Sequence, residues 1–164
     1  THDFRLNRAP GASVSDIAQA AHLAKNLRLV VVDYLGLVRS DERGLSIYER
    51  VTKNSAALKS LARSLNVPIL CLAQLNRAAE QRADKCPSMA DLRDSGAIEQ
   101  DADAVILLHR PAAYEAKQPL PWEAQPLTAI VAKNRHGNTG RLDFDFWGSS
   151  GIIKEHRLEV GGGV

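Results

Sequence analysis

Three short apolar runs constrain this sequence more than anything else in it. They are Leu29-Val30-Val31-Val32 closing on Asp33, Ile69-Leu70-Cys71-Leu72-Ala73, and Ala104-Val105-Ile106-Leu107-Leu108. None shows the polar alternation of a half-wet strand, so each reads as a strand covered on both faces of a parallel sheet. The segments around them carry the helical period. Ser13-Val14-Ser15-Asp16 has capping-box spacing, and Val14, Ile17, Ala18, Ala21 and Leu27 form an apolar stripe, predicting a helix over about 14–27. Ser46-Ile47-Tyr48-Glu49 is a second box. It opens a helix to about Leu65 with Ile47, Val51, Leu58, Ala62 and Leu65 on one face, and Glu49, Arg50, Lys53, Lys59 and Arg63 elsewhere. A short helix is expected over Ala97–Ala102. Strand, helix, strand, helix, strand is the order of right-handed crossovers, so the expectation is an α/β domain with a mostly parallel sheet flanked by helices.

The remaining segments are polar or broken. A charged loop covers Ser40–Gly44, and Asn66-Val67-Pro68 turns the chain into the second run. Asn76 to Asp94 mixes Arg77, Arg82, Lys85 and Arg93 with Glu80, Asp84, Asp91 and Asp94, a long loop of the functional kind. Pro111, Pro119, Pro121 and Pro126 mark 111–126 as an irregular surface insertion. Thr128–Ala132 and Arg141–Phe146 read as a C-terminal β-hairpin joined through Asn134–Gly140. At 164 residues, 45% hydrophobic and 24% charged, the chain has the size of one domain and is not a disordered segment. No apolar run approaches the ~20 residues of a membrane helix, so no membrane partner is expected. Cys71 and Cys86 form no framework, which favours a reducing, intracellular compartment. A net charge of +2 neither demands nor forbids a nucleic-acid partner. A start at Thr1 leads us to expect a piece of a longer chain.

Ligands of parallel α/β sheets gather at the carboxyl ends of the strands, a rule that selects Asp33, Gln74, His109 and Lys133–Arg135. Asp33 closes an apolar strand, as does a carboxylate that holds Mg²⁺ through water beside a nucleotide; a strand-terminal Asp also caps turns. Gln74 could sense a γ-phosphate or be a satisfied loop amide. Asp91-Leu92-Arg93-Asp94-Ser95-Gly96 suits an anion through backbone N–H groups, or is a solvated loop with Ser95 as a helix cap. Lys133 and Arg135 stand two apart on an extended segment, which sends both to one face, as a phosphate clamp or a solvated edge. Glu99, Asp101 and Asp103 read as a solvated helix end rather than a metal site. The five histidines are scattered, without zinc-ligand spacing.

Taken in order, Val31-Val32-Asp33-Tyr34-Leu35, Leu61-Ala62-Arg63-Ser64-Leu65-Asn66-Val67-Pro68 and Gln74-Leu75-Asn76-Arg77 resemble the DnaB-type replicative DNA helicases. The most specific stretch runs from Glu80-Gln81-Arg82-Ala83-Asp84-Lys85 through Asp91-Leu92-Arg93-Asp94-Ser95-Gly96-Ala97-Ile98-Glu99-Gln100-Asp101-Ala102-Asp103. Lys133-Asn134-Arg135-His136-Gly137 is similar to that family's Lys-x-Arg-x-Gly. The resemblance covers about residues 12–153.

It implies a RecA-like, P-loop NTPase-type core that assembles as a hexameric ring on single-stranded DNA, hydrolysing ATP with Mg²⁺. By match, Asp33 would be the Walker B carboxylate and metal ligand, and Gln74 would couple nucleotide state to the DNA loops. Arg93, Asp94 and Gly96 would lie in the loop that tracks DNA. Lys133 and Arg135 would reach the neighbouring copy's ATP, Arg135 as the arginine finger. Primase or a helicase loader would be a partner, in the cytoplasm of a bacterium or a phage-infected cell. The family's catalytic glutamate lies before this region, position 36 is Gly where the family commonly has Gln, and position 94 is Asp where Glu is usual. No Gly-x-x-x-x-Gly-Lys-[Ser/Thr] occurs, so residues 1–164 read as one domain, the C-terminal part of a helicase motor domain without its Walker A portion. This piece by itself is then expected to be inactive as an ATPase. The alternatives are a non-catalytic DNA-binding or oligomerisation module of the same fold, and a RecA-type recombinase.

Overall fold

The computed structural model describes residues 11–76, 81–82, 85–114, 120 and 122–156, with only the backbone of 93–95. The chain forms two compact units, one of Thr1–Asn76 with Leu92–Ala102 and one of Arg77–Asp91 with Asp103–Val164.

In the first unit, α1 (Val14–Leu23) opens with the expected box: Ser13 N donates to Asp16 Oδ2 at 2.8 Å, and Asp16 N donates to Ser13 Oγ at 3.3 Å. The helix ends earlier than the predicted 14–27 because Ala24 is extended and Asn26 adopts a left-handed φ of 55°. Leu27 thus leaves the apolar stripe. Strand β1 (Val30–Val32) follows, then α2 (Ile47–Leu65), whose Ser46–Glu49 box is also formed and whose end is closed by left-handed Asn66. Strand β2 (Ile69–Cys71) pairs parallel with β1, Val31 opposite Leu70, and α3 (Gly96–Asp101) completes the unit.

Val32, Leu35, Val38, Val51 and Leu58 form the buried cluster, with Val14, Ile17, Val30, Ile69, Cys71 and Ile98 packed against it. Burial pushes the Cys71 thiol up to about 11, so it is a neutral packing group. Two polar residues of α2 are buried because each has a partner. Asn54 Nδ2 donates to the Val38 carbonyl at 2.9 Å, and Ser55 Oγ donates to Asp101 Oδ2 at 2.7 Å. Ile47, placed on the apolar face by periodicity, is exposed in the first turn instead. Nor is the small sheet covered on both sides within the described residues, since Val31 is 50% and Leu70 54% exposed.

The second unit corrects the place of the third run. Strand β3 (Ala104–His109) pairs antiparallel with β4 (Ala124–Asn134), followed by β5 (Gly140–Trp147) and β6 (Ile152–Glu155) in the order β3-β4-β5-β6. Val105, Leu107 and His109 are buried while Ile106 and Leu108 are exposed, a one-sided strand whose outward residues are also apolar. That all-apolar composition hid the alternation from the sequence. The predicted hairpin is present but longer, and β6 extends it. Lys154 Nζ lies over the Trp147 ring, 5.4 Å from its centroid. The proline-rich 111–126 stretch holds a 3-10 turn at Pro111–Tyr114 and the start of β4.

Asn54→Ala strands the buried Val38 carbonyl and lowers unfolding free energy by about 1–3 kcal/mol, whereas Ser60→Ala on the exposed face changes it by less than about 0.5 kcal/mol. Urea unfolding of the two variants against the unsubstituted chain checks the difference.

Candidate functional site

Two of the predicted residues are brought together at the carboxyl rim of the parallel pair. Leu72 N donates to the Val32 carbonyl and Leu35 N to the Leu72 carbonyl, each at 2.9 Å, so the ladder holds both strands up to the point where they end. Asp33 follows β1 and Gln74 lies beyond β2, both exposed. Asp33 comes one residue after β1 and Gln74 three residues after β2, beyond the paired residues of the sheet whose open face carries Val31 and Leu70. Among the described residues no hydrogen bond or ion pair engages either side chain. Asp33 therefore caps no turn there, and its carboxylate has the freedom a water-mediated Mg²⁺ contact requires. No group of three His, Cys, Asp or Glu able to hold a metal occurs among the described residues.

Lys133 and Arg135 belong to the second unit. The β3–β4 register shifts between Val105 and Ile106: Ile106 opposes Val131 and Val105 opposes Lys133, leaving Ala132 without a partner. Such a bulge reverses which face the following residues take, so it aims Lys133 and Arg135 to the side of Val105 and Leu107. Arg135 N donates to the Asp103 carbonyl at 2.7 Å, and its Nη1 donates to Asp103 Oδ1 at 2.9 Å. The turn behind is closed by Asn134, which donates from Nδ2 to the Asn138 carbonyl at 3.2 Å and accepts at Oδ1 from His136 N at 3.3 Å. A Cβ at Gly137 would stand 2.7 Å from Asn134 Nδ2, so glycine is needed for this amide to fold over the turn. His109, the other strand-end candidate, is buried against Tyr114 in an edge-on ring contact.

The polar stretch holds a structure that spacing did not reveal. Arg82 Nη1 and Nη2 donate to the Asp91 carboxylate at 2.8 and 2.6 Å, and Nη2 also donates to the Cys86 carbonyl. Ser88 N and Oγ donate to Asp91 Oδ2 at 2.7 and 3.0 Å. Asp91 is only 3% exposed, and the Arg82 guanidinium beside it holds its carboxyl well below the usual carboxylate range. Ser88-Met89-Ala90-Asp91 repeats the Ser-x-x-acid spacing of the two boxes already noted, which was the available signal. Here only the acid's half forms, since Asp91 N donates to the Ser88 carbonyl at 3.0 Å. Asp91 lies in the 3-10 helix Met89–Ser95, on whose backbone Arg93 and Asp94 also lie; their side chains fall outside the described residues, as do Arg77, Glu80 and Asp84. Gly96 begins α3 and a Cβ there would meet nothing within 4 Å, so this fold does not itself require glycine at 96. Asp101 accepts from Ser55 Oγ and Asp103 from Arg135 Nη1.

Parallel strands with an unengaged carboxylate and amide at their carboxyl rim, and an antiparallel meander carrying two cations, are parts of a RecA-like ATPase domain. Solved structures agree. The chain superposes on one described as an ATPase domain with a TM-score of 0.78 and 33% identity, covering 90% of this chain and 52% of that one. It superposes on a DnaB-like replicative helicase, described with its interactions with primase, with a TM-score of 0.75 and 34% identity over 84% of this chain and 35% of that one. The DnaB-like helicase C terminal domain family matches residues 1–154, and the chain belongs to that family. It is 51% identical over 122 residues to the replicative DNA helicase DnaB of Leifsonia xyli subsp. xyli, covering 74% of this chain and 26% of that protein. Against the same helicase of Geobacillus stearothermophilus it is 38% identical over 159 residues, 94% of this chain and 33% of that protein. The chain thus spans about a quarter to a third of the length of these relatives. No helix among the described residues is long and apolar enough to cross a membrane.

Removing the charge at Asp91 leaves Arg82 without its buried partner, and Asp91→Asn lowers stability near neutral pH by ~2–3 kcal/mol. Because the folded carboxyl is held below its ordinary value of 3.8, its stabilisation is complete above that pH and is lost as pH falls toward the lower folded value. Urea midpoints of the unsubstituted and Asp91→Asn chains therefore keep their full separation from about pH 7 down to about pH 4, and draw together only as pH falls well below 3.8.

Proposed function

We propose that this chain works within a replicative DNA helicase, a hexameric ring that couples ATP hydrolysis to movement along single-stranded DNA and unwinding of duplex. The observation that carries the reading is the pair Asp33 and Gln74, unengaged at adjacent strand ends, in a chain of the DnaB-like family. Asp33 would hold Mg²⁺ through its water shell, the metal drawing charge from the phosphates of ATP when bound. Gln74 would orient against the γ-phosphate and pass its presence toward the DNA loops. Lys133 and Arg135, two residues apart on one face and turned by the bulge to the Val105 side, would meet the ATP of the neighbouring copy, where a guanidinium stabilises charge that develops as the phosphate bond breaks. Arg93 and the backbone around Asp94 and Gly96 would grip DNA phosphates. Primase or a helicase loader is the protein partner proposed, the former supported by the helicase neighbour described with primase.

In the full-length ring, Arg135→Ala abolishes ATP hydrolysis and leaves nucleotide binding within about twofold, since the residue serves the neighbour's transition state. Mixed rings with a Walker-defective copy recover activity where one intact site is rebuilt at an interface. Normal hydrolysis by Arg135→Ala rings would sink the assignment.

DNA contact at Arg93–Gly96 is local, because the chain carries a net charge of only +2. Arg93→Ala weakens single-stranded DNA binding equally across sequences and lowers the salt slope by about one unit or less per subunit. Gly96→Val weakens it at least as much while leaving ring assembly intact, since a Cβ at Gly96 meets nothing within 4 Å among the described residues. Affinity against salt for poly-dT and mixed strands reads both variants; undiminished binding in both would return the loop to an ordinary solvated role.

A further inference from the structure

Arg135 is held twice by one residue of its own chain. Its backbone N–H donates to the Asp103 carbonyl at 2.7 Å, and its guanidinium Nη1 to Asp103 Oδ1 at 2.9 Å. The two contacts differ in kind. The backbone bond extends the β3–β4 ladder by one step and keeps the main chains together whatever the side chains do. The ion pair lies between side chains 42% and 48% exposed, where water competes for both charges and the contact is weak enough to open and close. Arg82 and Asp91 make the opposite case. That carboxylate is buried under several donors, so opening it would strand a charge away from water.

We propose that Asp103 is a resting partner for Arg135, an intramolecular contact that has to open before the guanidinium reaches a phosphate on the neighbouring copy. The inference rests on the reading of Arg135 as a residue acting in trans. A nucleotide's phosphate carries more charge than a half-exposed carboxylate and accepts two parallel N–H bonds from the planar fork, so it wins the guanidinium once it comes within reach. Without that phosphate the side chain returns to Asp103. The carboxylate touches neither substrate nor reacting atoms, which makes it a positioning residue that restrains the finger between turnovers.

The test uses the full-length ring, with ATP hydrolysis measured without DNA. Asp103→Asn keeps the shape and removes the charge, and its hydrolysis rises about two- to fivefold, the factor that a half-exposed ion pair is worth. Asp103→Glu restores the unsubstituted rate, which a merely structural role would not require. Asp103→Asn combined with Arg135→Ala is as inactive as Arg135→Ala alone, because the gain passes through the guanidinium. An unchanged or reduced rate in assembled Asp103→Asn rings overturns the inference while leaving Arg135 as the trans residue, provided Arg135→Ala is inactive in the same assay. Hydrolysis that survives Arg135→Ala overturns the trans reading and this inference with it. Should Asp103→Asn rings fail to assemble, Asp103→Ser is read by the same assay with the same two outcomes.

Discussion

Parallel pairing of Val30–Val32 with Ile69–Cys71 is the interaction on which the first unit depends. It is only three residues long on each side, yet it sets the register that ends both strands at one rim. Its inner face is closed by α1 and α2, whose buried side chains leave one place for each strand residue to point. The buried Asn54 amide ties α2 to the segment that follows β1 by holding the Val38 carbonyl. Asp33 and Gln74 owe their common position to that closure, since neither has a partner of its own among the described residues.

The second unit works through two Asp–Arg pairs of unequal character. Burial of Asp91 under Arg82 and Ser88 makes a fixed support, because opening it would leave an uncompensated charge out of water. Half-exposure of Asp103 and Arg135 makes a contact that can exchange partners. The same residue types thus serve as an anchor and as a rest, and solvent access decides which.

Much of this was legible along the chain. Both Ser-x-x-acid boxes at 13–16 and 46–49 form as read, because a cap depends on residues a single turn apart. The strand runs, the long helix and the hairpin are equally local and equally recoverable. The box at Ser88–Asp91 carried the same signature inside a stretch whose mixed charges masked it. Arg82 as the partner of Asp91, and Asp103 as the partner of Arg135, had no sequence signal, being joined by folding and not by spacing.

By itself the sequence determined the main helices and the apolar strand runs, though neither β6 nor the 3-10 helix Met89–Ser95, and it placed Asp33, Gln74, Lys133 and Arg135 near strand ends, because periodicity and capping are set by neighbours along the chain. The tertiary structure alone decided that the third apolar run pairs antiparallel with β4, and that a one-residue bulge at Ala132 turns Lys133 and Arg135 to the Val105 and Leu107 side. It also decided which carboxylate each guanidinium meets. Apolar composition states that a strand will be buried but not beside which partner, and register and burial are settled only when distant segments compete for the same surface.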